Sequence, residues 1–288
     1  MKYFIDTEFL EGAQKESFPI SLFRKNTPNT IDLISIGIVT EDGREYYAIS
    51  KDFNLKEAWN RYDEKVEIMS GDIRNRFPNG RKYKEYWIRE NVLKSIWRDL
   101  FFQADDCSGL SNKQTEAYYK EVNSGNYDKY FTFKSLKGLI SHYGKTNKDI
   151  AEEVINFTTR YKPNEFANHP IQNSIRPDNP EFYAYYSDYD WVVFAWLFGK
   201  MIDLPKGLPM YCKDLKQMLD EKAKKHIKPF CFGDTEKQVE NMAERSVKGQ
   251  VESFKTFSGY PKQDPSKSHN AIEDARWNKR LFEFLQKL

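Results

Sequence analysis

Two acidic residues near the start of the chain are spaced to act together. Asp6 and Glu8 directly follow the apolar residues Tyr3, Phe4 and Ile5. Successive side chains of a β-strand point to opposite faces, so these two carboxylates share one face with their Cα atoms about 7 Å apart. A solvated strand face is the ordinary alternative for such a pair. Aspartate is nevertheless depleted in strands, and carboxylates that share one face could bind a cation.

A third acid, Asp274, lies on the apolar face of a helix predicted at the end of the chain. Helical spacing from Asp274 leads to Asn278, Leu281, Leu285 and Leu288. A carboxylate on this face would be costly to desolvate. It therefore requires a proton, a cation or a metal ion to offset that cost.

Asp190 is the fourth acidic candidate, in the segment SDYDWVV at the start of another predicted helix. The alternative is a structural role, because Ser187 followed three residues later by Asp190 resembles a capping box. If the four acids converge, they repel one another unless divalent cations lie between them. Oxygen ligands without cysteine favour Mg²⁺ or Mn²⁺ over zinc. Two such ions about 3.5 to 4 Å apart are typical of enzymes that hydrolyse phosphodiesters.

His269 lies five residues before Asp274 and just ahead of the last predicted helix. A lone histidine at a helix start is usually a cap or a surface residue. Imidazole titrates near neutral pH, however, so His269 could accept a proton from the attacking water at a metal site.

Three short motifs together resemble those of the DEDD exonucleases that use a catalytic histidine, a family on the ribonuclease H-like fold. A tyrosine subclass of that family would carry Tyr at position 270, where this chain has Asn. Within the superfamily, the chain looks most like the bacterial ribonuclease AS family, over less than half of its length. The motifs are Asp6-Thr7-Glu8, Asp190 within SDYD, and HNAIED, which runs from His269 to Asp274.

The resemblance implies a 3′ to 5′ exoribonuclease that binds the 3′ end of single-stranded RNA, releases nucleoside 5′-monophosphates and favours adenylate. It implies two Mg²⁺ ions, for which Mn²⁺ can substitute. Asp6, Glu8 and Asp274 would hold the first ion. Asp6 would be shared with the second ion, which Asp190 would help to hold directly or through water, and His269 would deprotonate the attacking water. The resemblance also implies a homodimer in which the basic surface of one subunit assists the other's site.

Substrate contacts are less specific in this sequence. By analogy with the family, Phe9 and Leu10 would touch the terminal nucleotide, but core packing is an equal alternative. KAKKHIK at 222–228 could follow an RNA backbone, although such charge runs are usually solvated helix faces. Two further hypotheses are a 3′ to 5′ DNA exonuclease of the same fold and a noncatalytic RNA-binding protein on a nuclease scaffold.

The elements that must position these residues form an α/β pattern, with a ribonuclease H-like mixed sheet of an antiparallel meander plus parallel strands, flanked by helices. We expect a single domain over 1–288, with a large, mainly helical insertion at about 51–178 and a long connection at about 224–268. Within the insertion, five apolar residues form one stripe that is typical of a packed core: Leu93, Ile96, Trp97, Leu100 and Phe101. Strands are predicted at 3–6, at 32–50 as a hairpin turning at Asp42-Gly43, at 182–187 and at 209–212, and helices from 190 to about Gly199, after 212 and at the end of the chain.

Composition narrows the remaining possibilities. The 288 residues include 45 Lys and Arg against 43 Asp and Glu, a net charge of +2. The net charge of the protein therefore does not by itself predict binding to polyanions. Cys107, Cys212 and Cys231 lack CxxC spacing, which favours reduced thiols over disulfides or structural zinc. No segment approaches the ~18 apolar residues that span a bilayer, and no signal peptide precedes the first strand. We therefore expect a soluble cytoplasmic protein with no membrane partner.

Overall fold

The computed structural model describes two compact units within the chain. The stretches that it describes are 1–16, 19–23, 25–68, 80–103, 126–158, 180–226 and 246–288. The first unit comprises Met1–Glu8, Ser35–Ala48 and Asn147–Leu288, and the second comprises Phe9–Ile34 and Ile49–Thr146. The predicted insertion at 51–178 and connection at 224–268 both include residues outside these stretches, as does the end of the KAKKHIK run. Cys107 and Cys231 also lie outside them.

The strands form a mixed α/β sheet and a separate two-stranded sheet. In chain order they are β1 (Lys2–Gly12), β2 (Thr30–Thr40), β3 (Glu45–Ile49), β4 (Asp63–Glu67), β5 (Arg81–Glu85), β6 (Glu181–Ala184) and β7 (Lys213–Asp214). The larger sheet has the order β3-β2-β1-β6-β7. β1 is its central strand and runs parallel to β6, which runs parallel to β7.

The structure describes eight α-helices, and the first four lie within the predicted insertion. They are α1 (Leu55–Asn60), α2 (Lys94–Gln103, preceded by a π-helical stretch at Ile88–Leu93), α3 (Phe133–Tyr143), α4 (Asn147–Thr158), α5 (Ser187–Trp196), α6 (Leu215–His226), α7 (246–254) and α8 (Ala271–Leu285). Short 3-10 helices lie at Ile20–Leu22, Asn126–Tyr130 and Met201–Asp203. Within the described stretches, no helix has the length and apolar character needed to cross a membrane.

Several predicted elements are confirmed. β2 and β3 form the predicted hairpin, and Gly43 occupies its turn at a φ of +89°. The apolar stripe predicted in the insertion is a core face, because Ile96, Trp97 and Leu100 are buried and the Trp97 indole donates a hydrogen bond to the Ser135 hydroxyl.

Two details of the prediction are wrong or incomplete. The strand expected at 209–212 is instead β7 at Lys213–Asp214, where Lys213 pairs with Tyr183. Pro209 has no N–H to donate to a strand ladder, which disfavours pairing at the predicted position. The antiparallel pair β4 and β5 was not predicted, since β4 is exposed along its whole length and lacks an alternating apolar face.

The core of the first unit joins the sheet to its three C-terminal helices. One apolar cluster contains side chains from β1, β6, α6, α7 and α8, so the helix at 246–254 within the long connection packs against the fold. Its buried members include Phe4, Tyr183, Leu215, Leu219, Val251, Phe254, Leu281 and Phe284.

β2 and the start of α8 approach each other so closely that only a glycine fits between them. A Cβ atom on Gly37 would lie 2.2 Å from the Ala271 carbonyl oxygen and 2.5 Å from the Ile272 Cα atom. Both atoms belong to backbone, which cannot move aside without shifting the helix. Gly37 therefore determines how close the N-terminal turn of α8 lies to the sheet.

Replacing Gly37 with alanine should lower the free energy of unfolding by at least about 2 kcal/mol, the cost of overpacking a core position. Chemical denaturation of the wild type and the Gly37→Ala variant measures this difference. Gly138→Ala is the matched control, because this exposed helical glycine has open space around its Cβ position. That control should be more stable than the wild type by about 0.5 to 1 kcal/mol. Equal stability of Gly37→Ala and the wild type would contradict the close approach.

Candidate active site

Two of the acids project from the central strand, as the alternation of β1 predicts. Asp6 is partly buried, and Glu8 is about 9% exposed. Tyr3, Phe4 and Ile5, which precede them, are all buried, so β1 is covered on both faces. The two carboxylates are thus held within the fold and not on a solvated strand face.

Asp190 is brought to the same strand by a tight connection. β6 ends at Ala184, and α5 begins at Ser187, after only two intervening residues. One carboxylate oxygen of Asp190 accepts hydrogen bonds from both the backbone N–H and the hydroxyl of Thr7, each at 2.7 Å. The ladder between β1 and β6 ends where Phe4 lies opposite Tyr183. The Thr7 N–H lies beyond that pairing and is satisfied by Asp190.

The capping-box alternative for Asp190 is wrong. The N-cap of α5 is Tyr186, whose side chain makes no capping hydrogen bond. Ser187 is instead the first residue of the helix. Asp190 is 5% exposed and directed at β1, which fits a role in the site better than a role in starting the helix.

Asp274 is positioned by the first turns of α8 and by the loop before it. One carboxylate oxygen accepts a hydrogen bond from the His269 backbone N–H at 3.0 Å, and the other accepts one from the Gln263 side-chain amide. One turn further along α8, the buried Asn278 amide donates to the Ile5 carbonyl of β1 at 2.9 Å. This bond holds α8 beside the strand that carries Asp6 and Glu8.

His269 turns the chain into this position. Its φ of +61° is in the left-handed region, which is unusual for a residue other than glycine. Ligand atoms of Glu8, His269 and Asp274 all lie within 4.8 Å of one another. Glu8 from the first motif and His269 and Asp274 from the third therefore lie within ligand distance of one another. Asp6 and Asp190 lie outside that group, but their charges act on the same acids.

The electrostatics of the pocket reflect burial and mutual repulsion. Burial, followed by the charges of Asp190, Asp274 and Glu8, raises the pKa of Asp6 well above its usual value. Burial and the charges of Asp274 and Asp190 do the same for the pKa of Glu8. The four carboxylates cannot all be ionised here without a compensating positive charge.

The other two acids show the same effect to a smaller extent. Burial raises the pKa of Asp190 to about 7, although the hydrogen bonds from Thr7 act against the rise. Burial also raises the pKa of Asp274 to about 6, against the hydrogen bonds from His269 and Gln263. Burial lowers the pKa of His269, which keeps the imidazole neutral near neutral pH.

The donor set fits a hard divalent cation. Two carboxylates and one imidazole, those of Glu8, Asp274 and His269, lie within ligand distance, and no cysteine of the described residues joins them. The acids, including the nearby Asp6 and Asp190, would gain from a positive charge placed among them. Oxygen-rich sites of this kind suit Mg²⁺ or Mn²⁺.

The predicted substrate residues have a different environment. Leu10 is fully buried, which favours core packing over contact with a nucleotide, and Phe9 is partly buried. Sequence reasoning gave no role to Thr7, whose partner Asp190 is distant along the chain, or to Gln263, which bonds Asp274 from the loop before α8. Asn278 did carry a signal, because a buried amide on an apolar helix face needs a hydrogen-bond partner.

Comparison with known proteins gives a partial similarity. No protein-family model matches the chain. Two proteins of Mycobacterium tuberculosis, from strains CDC 1551 / Oshkosh and ATCC 25618 / H37Rv, are each named 3′-5′ exoribonuclease and are each 47% identical over 58 residues. The match covers 20% of this chain and 26% of each relative, so it spans about a quarter of their length. The similarity supports a relationship to exoribonucleases.

The stability of the metal-free protein should fall as pH rises from about 4 to about 7. A carboxyl whose pKa is raised by folding adds stability below its unfolded pKa and loses it as pH rises through the folded value. For Asp190 the folded value is about 7. Because one pKa unit is worth about 1.4 kcal/mol, the loss should reach several kcal/mol. Urea denaturation in EDTA at several pH values measures it.

The Asp190→Asn variant is the control for this measurement, because it removes one titrating group from the pocket. Burial of His269 acts in the opposite direction, so the difference between the two pH profiles is the informative quantity. The profile of Asp190→Asn should be shallower than that of the wild type. If the stability of the wild type and of Asp190→Asn depended on pH in the same way, ionisation of Asp190 would not destabilise the folded protein.

Proposed function

We propose that the chain is a metal-dependent 3′ to 5′ exoribonuclease that hydrolyses single-stranded RNA to nucleoside 5′-monophosphates. The main support is that ligand atoms of Glu8, His269 and Asp274 lie within 4.8 Å of one another, and that the charges of Asp6 and Asp190 act on the same acids. The partial similarity to proteins named 3′-5′ exoribonuclease adds to it. A noncatalytic RNA-binding protein would gain nothing from burying these acids together.

The acids would hold two Mg²⁺ ions, for which Mn²⁺ can substitute. Asp6, Glu8 and Asp274 would bind one ion, and Asp6 would be shared with a second ion that Asp190 helps to hold. When bound, such ions supply an acidified water and stabilise the negative charge that develops on the phosphate. Thr7 holds one oxygen of Asp190 through two hydrogen bonds, which fixes the direction of the carboxylate.

His269 would act as the general base. Its imidazole is half-buried, and its lowered pKa leaves it neutral and able to accept a proton at the pH of the cell. The backbone of His269 is tied to Asp274 by its N–H, so the base and the acid keep a fixed relation. The imidazole would take a proton from the attacking water and then return it to solvent.

The finer assignments are parts of this proposal. They include membership of the DEDD exonucleases with a catalytic histidine, the ribonuclease H-like fold, the preference for adenylate and the homodimer. A contact of Phe9 with the terminal nucleotide also belongs here. A DNA exonuclease of the same fold is the competing activity, and matched RNA and DNA oligonucleotides distinguish the two.

Asp274→Asn should abolish cleavage and leave the fold intact, because removing one charge relieves repulsion in the metal-free protein. The assay is a time course with Mg²⁺ on RNA and DNA labelled at the 5′ or the 3′ end, with EDTA as the metal-free control. Digestion from the 3′ end converts 5′-labelled RNA to a ladder and releases the 3′ label at once as mononucleotide. Circular dichroism and thermal unfolding check the fold. Full activity of the variant would overturn the assignment of the site.

His269→Ala should slow hydrolysis by about 10² to 10⁴, as expected for a lost general base. Calorimetric titration with Mn²⁺ should still detect binding, since the carboxylates remain. His142→Ala is the matched control, because His142 is exposed on α3 and should be dispensable. An unchanged rate in His269→Ala would mean that the histidine has no part in the reaction.

A further inference from the structure

A lysine-lined cleft opens within the first unit, and one end of it is formed by the connection that leads into the helix of Asp190. It has a volume of about 900 Å³, and α6 and α7 form its two walls. Tyr185 and Tyr186, in the connection between β6 and α5, lie at one end. The side chains that line the walls are Lys216, Asp220 and Lys224 from α6, and Val247, Lys248, Val251, Glu252 and Lys255 from the segment that includes α7.

The cleft and the catalytic acids lie at the same edge of the sheet. β1, β6 and β7 are parallel, with Phe4 opposite Tyr183 and Tyr183 opposite Lys213. Continuing this register by two residues beyond Tyr183 brings Tyr185, just after β6, opposite Asp6 of β1. Ligands of open α/β sheets bind at this carboxyl edge of the strands.

A direct packing contact joins the cleft to α8. The ring of Tyr185 packs edge-to-face against Trp277, with ring centroids 5.2 Å apart. Trp277 lies one turn after Asp274 on α8. One end of the cleft is thus anchored to the helix that carries a proposed metal ligand.

The lysines of the cleft are only partly neutralised. Lys216 forms an ion pair with Asp220, and Lys255 forms one with Glu252 at 2.7 Å. Lys224 and Lys248, on opposite walls, are exposed and pair with no carboxylate of the described stretches. The positive charge that no ion pair offsets therefore lies on both walls of the cleft.

Tyr186 presents an aromatic ring at the same place. It is 59% exposed and has a φ of +59°, in the left-handed region that strains a residue other than glycine. Such strain collects at functional sites, where the surrounding structure maintains it. An exposed ring beside lysines is a common arrangement for holding single strands, in which bases stack and cations neutralise phosphates.

We propose that this cleft binds the single-stranded RNA upstream of the 3′ end, with Lys224 and Lys248 neutralising backbone phosphates and Tyr186 stacking on a base. The proposal rests on the proposed function and adds the path of the substrate. Within the basic run at 222–228, it assigns RNA contact to Lys224, which lines the cleft, and not to Lys222 or Lys225, which do not.

The first test measures binding without catalysis. Fluorescence anisotropy in EDTA, with a 5′-fluorescein oligo(A) of about 20 nucleotides, should show roughly tenfold weaker binding for Lys224→Gln/Lys248→Gln. The slope of log K against log salt concentration should decrease by about 1.4, or ~0.7 for each lost phosphate contact. The control, Lys222→Gln/Lys225→Gln, removes the same charge from the same region and should bind nearly as the wild type does. Equal effects of the two double variants, or no effect of either, would overturn the proposal.

The second test concerns the ring of Tyr186. Tyr186→Leu should weaken binding about tenfold, the loss of one base stack. Tyr186→Phe keeps the ring and should restore wild-type affinity. If leucine and phenylalanine behave alike, Tyr186 does not stack on a base.

Hydrolysis in Mg²⁺ separates failure of this proposal from failure of the proposed function. A dinucleotide is too short to occupy the cleft, so Lys224→Gln/Lys248→Gln should cleave it at the wild-type rate and cleave the longer RNA with a raised KM. If the wild type degrades RNA while both double variants bind it equally well, the cleft proposal fails alone. If binding depends on Lys224 and Lys248 but no RNA is hydrolysed, the proposed function fails alone.

Discussion

The repulsion among four buried carboxylates is the constraint on which the arrangement of the first unit depends. Apolar burial and neighbouring charge both raise the pKa of Asp6 and of Glu8, so the pocket is unfavourable until a cation or protons compensate it. Favourable contacts elsewhere in the first unit must therefore offset this repulsion in the metal-free protein. The Thr7 hydrogen bonds to Asp190, the Asn278 bond to the Ile5 carbonyl and the apolar cluster beneath α8 supply that stability.

Backbone strain is found next to the same pocket. Among the residues that the structure describes, Tyr186 and His269 are the non-glycine residues with positive φ. One precedes the helix that carries Asp190, and the other is the proposed base. Both allow an abrupt change of direction between a strand or loop and a helix, so each acid reaches β1 from the first turns of its helix. The strain is a cost of assembling a site from elements distant in sequence.

The catalytic candidates could be predicted from sequence because each breaks a local pattern. Asp6 and Glu8 interrupt an apolar strand, and Asp274 interrupts an apolar helix face. The mixed sheet and its flanking helices followed from similar periodicity. The position of β7, the pairing of β4 with β5, the partner of Asp190 and the lysine cleft depend on contacts between distant segments, which periodicity does not report. Asp190 illustrates this limit, since its local sequence matches a capping box while its carboxylate bonds Thr7.

The burial of both faces of β1 at Tyr3, Phe4 and Ile5 has a further effect on folding. In a strand with one apolar face, slipping by a single residue exposes the apolar side chains, and this penalty selects the alignment. Tyr3, Phe4 and Ile5 are buried on both faces, so hydrophobicity alone discriminates poorly between slipped alignments of this strand. The polar bonds from Asn278 to the Ile5 carbonyl and from Thr7 to Asp190 form only in the correct one. Hydrogen bonds in and next to the candidate active site therefore also specify the register of the central strand.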